Sequence, residues 1–212
     1  METNFVDTLS KLQLLIEGLA ISPSHGVNLF LDVEGTNLSR DGSVSILTLH
    51  DRHHDITHLV DITTLGKDAF TAAFSIEEGS CSLKTILEDP AITKVFFDVR
   101  NDSNALFFLF GIRLAGVHDL QLMELATRQF GKRILNGLGK CIDHDAGLSW
   151  AGRQEWKTVK EAGLKLFAPD RGGSYAVFDV QPLPDPLKSY CAQDVTFMPT
   201  LYQAYCRSLC DF

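Results

Sequence analysis

Residues 27–62 read VNLFLDVEGTNLSRDGSVSILTLHDRHHDITHLVDI. Three apolar or β-branched runs, VNLFLDV (27–33), SVSILTLH (43–50) and ITHLVDI (56–62), are separated by turn-rich SRDGS and DRHHD. That pattern predicts a three-stranded antiparallel meander. The first run ends on two carboxylates, Asp32 and Glu34, with one valine between them. Residues i and i+2 of a strand face the same side, so both acids share one face at a strand's carboxyl end, where α/β sheets gather ligand sites. An unpaired charge is expensive to take out of water. Two like charges on an apolar strand therefore call for a counter-charge.

Beyond the meander, strands and helices alternate. TKVFFD (93–98) is a short apolar strand that runs into a helix through NALFFLFGI, and another short strand lies near 116–120. Helical patterns fall at about 64–74, 82–88, 119–130, 137–146 and 154–163. A last helix starts near Pro186, with Asp185 as its expected N-cap. Five strands, three antiparallel and then two parallel, imply an α/β fold: a mixed sheet with helices on both faces. Phe5, Leu9, Leu12, Leu15, Ile16 and Leu19 recur at helical spacing, so residues 1–25 are expected to form a helix packed on a single domain spanning 1–212. The start carries acids and lacks the basic opening of a secretory signal, and no apolar run approaches the roughly 20 residues of a membrane span. Five cysteines without a C-x-x-C pair suit a reducing intracellular compartment, cytoplasmic or nuclear.

The net charge of −8 is unevenly spread. Residues 1–127 hold 8 Lys/Arg against 18 Asp/Glu, whereas residues 128–188 hold 10 against 7. An acidic chain argues against a phosphate-backbone partner, but the later segment is mildly basic. Its Lys132, Arg133, Lys140, Arg153, Lys157, Lys160, Lys165 and Arg171 are candidates for contact with a charged strand, and Gly172-Gly173 would allow close backbone approach.

Acids recur at two more places. In KVFFDVRNDSNALFFLFGI (94–112), Asp98 closes a strand, where it is expected to cap the next helix, and Asp102 follows in that helix's first turn. In YCAQDV (190–195), Tyr190 and Asp194 are four apart and stack on one helical face. Tyr175 and Asp179 share that spacing, but SYAVFDV alternates like a strand, so those side chains would not align. Asp32, Glu34, Asp102, Tyr190 and Asp194, in this order, resemble the motifs of the ribonuclease D-type 3′–5′ exonucleases, the "DEDDy" class of the DnaQ-like superfamily. Ser189 stands where the sister class has histidine. NLSRDGSVSILTL, HLVDITTLG and LFAPDRGGSYAVFDVQPL are similar to the Egalitarian-type branch. Many relatives have Asn where this chain has Asp98.

The resemblance implies a ribonuclease H-like sheet and a 3′–5′ exonuclease that hydrolyses phosphodiester bonds with two Mg²⁺ or Mn²⁺ ions, which prefer oxygen ligands. Asp32 would bridge both ions, Glu34 and Asp194 would complete the first, Asp102 would hold the second, and Tyr190 would orient the attacking water. The partner would be a single-stranded RNA or DNA 3′ end, with Lys140, Lys165 and Arg171 as candidate substrate contacts; the oligomeric state stays open. The alternative is a nuclease fold that binds RNA or a protein without cutting. Other features have plainer explanations. His50, His53, His54 and His58 surround a hairpin turn, Asp119 is expected to cap a helix, and Phe107, Phe108 and Phe110 are expected in the core.

Overall fold

A computed structural model of the chain describes residues 2–21, 29–76, 79–129 and 131–210. Strand β1 (Glu2–Val6) leads into helix α1 (Leu9–Ile21), followed by β2 (Leu29–Glu34), β3 (Ile46–Asp51) and β4 (Ile56–Asp61). Two short helical turns, α2 (Ile62–Leu65) and α3 (Asp68–Thr71), precede the small hairpin β5 (Phe74–Ile76) and β6 (Gly79–Cys81). Then come α4 (Leu83–Glu88), β7 (Lys94–Phe96), α5 (Arg100–Phe110), β8 (Val117–Asp119) and α6 (Leu120–Thr127). The remainder is helical: α7 (Leu138–Asp145), α8 (Trp150–Phe167), α9 (Asp185–Thr196) and α10 (Met198–Cys210).

The main sheet runs β1-β4-β3-β2-β7-β8. The meander pairs antiparallel, while β7 joins β2 and β8 joins β7 in parallel. The mixed sheet is as expected, with one correction: it has six strands, because β1 pairs parallel with β4. Phe5 therefore belongs to a strand and not to the leading helix. Its helical spacing to Leu9 misled, since the partner strand lies 50 residues away. The expected helix over 64–74 breaks into α2 and α3 at Gly66, whose φ of +58° ends the first turn. Residues 22–25 of the expected first helix, and 27–28 of the expected first strand, lie outside the described residues.

Alternation along β2 sorts its side chains. Leu31 and Val33 join one core face with Leu12, Ile16 and Leu106, which brings α1 and α5 against it. Fully burying an aliphatic side chain such as Leu12 or Ile16 contributes about 1.5–3 kcal/mol. Phe30 faces the other way, into a group with Trp156, Met198 and Leu201. Asp32 and Glu34 share Phe30's side by strand periodicity, under the layer formed by α8, α9 and α10.

Helix ends differ from expectation in instructive ways. Asp185 does not cap α9; Pro184 holds that position and Asp185 pairs with Lys188 at 3.1 Å. The last helical stretch is two helices: α9 stops at Phe197 and α10 restarts with Pro199 in its first turn, where a missing N–H costs nothing. SYAVFDV is not a strand, for Tyr175–Asp179 is a 3₁₀ turn with Phe178 buried and Asp179 accepting a hydrogen bond from Ser45 at 2.6 Å. Gly173 serves the fold, not a ligand: a Cβ there would lie 2.5 Å from the Leu166 carbonyl oxygen, where the chain folds back on α8.

Candidate active site

Helix α9 crosses β2, β3 and β4, and this crossing brings distant acids together. Asp32, Glu34 and Asp194 each present a carboxylate oxygen, all within 4.8 Å of one another. Asp102, in the first turn of α5 and 6% exposed, stands beside this trio, near enough that Asp32's charge raises its pKa. Tyr190 lies one turn before Asp194 and is buried, its ring edge-on to Phe167 at 5.0 Å between centroids. Gly163 of α8 packs against that ring; a Cβ there would sit 2.6 Å from Tyr190 Cδ2. The four acids and the phenol named from the sequence are thus neighbours.

The turn that aims Asp102 is built differently from the expectation. Asp98 is no N-cap: it adopts φ +60°, and its carboxylate pairs with Arg100, while Val99 occupies the cap position. Asp and Asn tolerate this left-handed conformation, which explains why either residue suits the position. The cap is supplied from a distance by Asp119, which accepts hydrogen bonds from the Asp98 and Val99 amides at 3.0 and 3.2 Å. Asp119 also caps α6 as expected, accepting from Gln121 N–H at 2.9 Å. Nearby, Asn104 Oδ1 accepts the Arg40 amide at 2.9 Å, tying the loop after Glu34 to α5.

Crowding raises the pKa values. Burial, then repulsion from Asp194, pushes Asp32 up to about 7. Burial, then Asp32 and Asp194, pushes Glu34 well above the usual range, and burial does the same to Asp102. Burial, then the charge of Asp194, keeps the Tyr190 phenol protonated far above its ordinary value. One cation reaches in: Lys160 of α8 donates to both Asp194 oxygens at 2.9 and 3.0 Å and to the Tyr190 hydroxyl at 3.4 Å, with its ammonium 4.6 Å from the ring centroid. In the sequence Lys160 is one of eight basic residues with nothing to set it apart. Its distances of four from Trp156 and three from Gly163, both buried, are the signal that turns it inward.

The remaining expectations fall elsewhere. Lys140 and Lys165 are exposed on α7 and α8, and Arg171 pairs with Glu161. Of the four histidines, His54 bonds Asp51 at 2.6 Å and His50 bonds Thr57 at 3.1 Å. None belongs to a potential ligand group among the described residues. Phe107 and Phe108 are not core residues: they are 42% and 50% exposed, with Arg113 and Arg40 over their rings. A second group, Glu124, Cys141 and Asp145, also brings three possible ligand atoms together. Its carboxylates are engaged by Arg128, Asn136 and Tyr205, and burial holds the Cys141 thiol up at about 11.

Solved structures share this arrangement of elements. Trypanosoma brucei RNase D in complex with GMP is 27% identical with a TM-score of 0.71, over 96% of this chain and 57% of that one. The same enzyme in complex with RNA U12 gives 26% and 0.70, over 96% and 62%. Brucella melitensis NrnC with bound Mg²⁺, 17% identical with a TM-score of 0.63 over 100% and 83%, shares the fold. This chain thus spans under two thirds of the RNase D chains it matches. No curated protein matches it in sequence. Residues 3–140, which carry Asp32, Glu34 and Asp102 on these elements, match the 3′–5′ exonuclease family, and the chain belongs to that family.

Proposed function

We propose that the chain is a metal-dependent 3′–5′ exonuclease of the DEDDy class, working as one unit with α1 packed into the core. The observation that carries this is the convergence of three carboxylates within 4.8 Å of one another, with Asp102 beside them and Tyr190 near enough to feel the charge of all three. The Egalitarian-type likeness is part of the same reading and rests on sequence alone.

An all-oxygen donor set suits Mg²⁺ or Mn²⁺, and the fit is testable on charge. Four clustered acids face one ammonium, so burial and mutual repulsion raise three of them, the condition that bound cations relieve. Asp32, Glu34 and Asp194 would hold the ions, with Asp102 at their side. When bound, such ions polarise a water and stabilise the entering and leaving oxygens of an in-line displacement at phosphorus.

The chain's own groups do the rest. Tyr190, kept protonated, acts as a hydrogen-bond donor and not as an anionic base, orienting water or a phosphate oxygen. Gly163 sets where that hydroxyl stands. Asp119 holds the Asp98–Val99 turn and so aims Asp102. In the reaction water adds to the last phosphodiester, the bond to the penultimate 3′ oxygen breaks, and that oxygen takes up a proton. A nucleoside monophosphate leaves. T. brucei RNase D, with which RNA U12 was crystallised, supports a single-stranded RNA substrate. DNA is the competing choice, and the intact acid set argues against a non-cutting binding module.

Labelled single-stranded RNA and DNA incubated with Mg²⁺ or Mn²⁺ test this reading. The native chain is expected to shorten at least one from its 3′ end, with Asp32→Ala slower by roughly a thousandfold, the size of several kcal/mol of lost charge stabilisation. Equal rates in Asp32→Ala would end the reading.

A further inference from the structure

The most exposed large apolar side chain of the described residues is Trp150, at 78%. It opens α8, with Ser149 capping the helix behind it. At 100° per residue, Trp150, Arg153, Lys157 and Lys160 fall within about 80° of one another on the helix surface, one stripe along its side. Trp156 and Gly163 lie on the adjoining buried side. The stripe's inner end is Lys160, already in contact with Asp194 and Tyr190. Its outer end is a bare indole. Between them, Arg153 and Lys157 share a single acid, Asp143, at 3.0 and 3.6 Å, so the middle of the stripe keeps an excess positive charge.

We propose that this face of α8 is the track for the single-stranded nucleic acid upstream of the scissile bond, with Trp150 stacking a base and Arg153 and Lys157 following the phosphates. This deepens the nuclease reading above and rests on it. The stripe spans about 15 Å from Trp150 to Lys160, roughly four nucleotides at the stacked rise of 3.4 Å. A positive groove interleaved with an aromatic ring is the chemistry that holds single strands without regard to sequence. Lys165, by contrast, sits about 140° round the helix from Lys160 and about 60° beyond Trp150, outside this stripe.

The test is binding to fluorescein-labelled eight-nucleotide oligo(U) and oligo(dT), read by anisotropy in EDTA, with Lys67→Ala as a control for loss of one exposed charge elsewhere. Trp150→Ala is expected to weaken binding at least fivefold, with Trp150→Phe recovering most of it. Lys157→Ala is expected to flatten the dependence of log Kd on log salt by about 0.7, one phosphate contact on a single strand, while Lys67→Ala leaves it unchanged. In hydrolysis, the ratio of kcat/KM for the octamer to that for a dinucleotide should fall in Trp150→Ala. A native chain that binds neither octamer, or a Kd within twofold of native in both Trp150→Ala and Lys157→Ala, overturns the track. If the native chain binds through Trp150 and Lys157 but hydrolyses nothing, the track stands and the catalytic reading falls. The two failures are thus separable.

Discussion

Glu34 and Asp61 stand at the same end of the sheet, each directly opposite Ile46 from either side. Both are strand-end acids, yet their surroundings are opposite. Asp61 is 1% exposed and fully engaged: it caps α2 through the Thr64 amide at 3.0 Å, accepts from the Thr64 hydroxyl and takes Gln181 Nε2 at 3.1 Å. Among the described residues no side chain donates to Glu34 or Asp32, and the charges nearest them are mostly like charges. A carboxylate supplied with donors holds a fold together. One left without side-chain donors, beside others of its kind, stores unfavourable charge that a cation can relieve. The difference between structural and functional acids here lies in what the neighbouring chain offers, not in position on the strand.

That contrast has opposite signs under mutation. Asp61→Ala would leave the Thr64 amide and the Gln181 side chain without an acceptor and remove a cap, costing about 3 kcal/mol. For a chain of this size that lowers Tm by about 6–12 °C in thermal unfolding. Glu34→Gln should do the reverse in EDTA: removing one of several crowded charges raises stability by about 1 kcal/mol, a Tm increase of about 2–4 °C. If Glu34→Gln destabilises the metal-free protein as Asp61→Ala does, then Glu34 has donors of its own and the contrast is broken. Mn²⁺ should stabilise the native chain and stabilise Glu34→Gln less, so the order of the two melting temperatures narrows or inverts as the ion is added.

How far this was legible from residues alone follows from the same distinction. The meander was legible because its alternation and its turns are local, and each strand finds its partner across a short connection. β1 was not, since Glu2–Val6 pairs with the last strand of the meander, more than 50 residues away, and its apolar residues also fit a helix. Helix and strand geometry made two shared faces legible, Asp32 with Glu34 and Tyr190 with Asp194, whereas joining them with Asp102 into one set came from the resemblance to a family's motifs. The role of Lys160 was not legible: its spacing to Trp156 and Gly163 gives only the side of α8 it occupies, and what it meets there depends on α8 lying against α9. Asp119 shows the intermediate case. Its cap on α6 is a sequence-near interaction and was expected, whereas its grip on the Asp98–Val99 turn joins the ends of two parallel strands. Buried Lys94 inside an apparently apolar strand makes the same point: it donates to the carbonyls of Ile86 and Asp89, closing the end of α4.

The smallest expected effect is the most direct measure of the crowding. Asp32 has its folded pKa raised from 3.8 to about 7, so the folded state holds that proton more tightly than the unfolded one. Its contribution to stability is therefore fully present below about pH 4 and is lost as pH rises through about 7. Two groups pull the other way: burial lowers the pKa of His50 and of His58 below 6.5, so the stability from keeping them neutral declines as pH falls below that value. Comparing native with Asp32→Asn in EDTA cancels the histidines, which both chains carry. Between pH 7.5 and 6 native should gain about 1 kcal/mol relative to the variant, within the limit of roughly 1.4 kcal/mol per pH unit for one proton. Urea unfolding at four or five pH values reads this difference. Mn²⁺ should erase it, since a bound cation and a proton compete for the same oxygens. A relative stability that stays flat across this range in EDTA would make Asp32 an acid of the Asp61 kind, satisfied by its surroundings and with no stored charge for an ion to relieve.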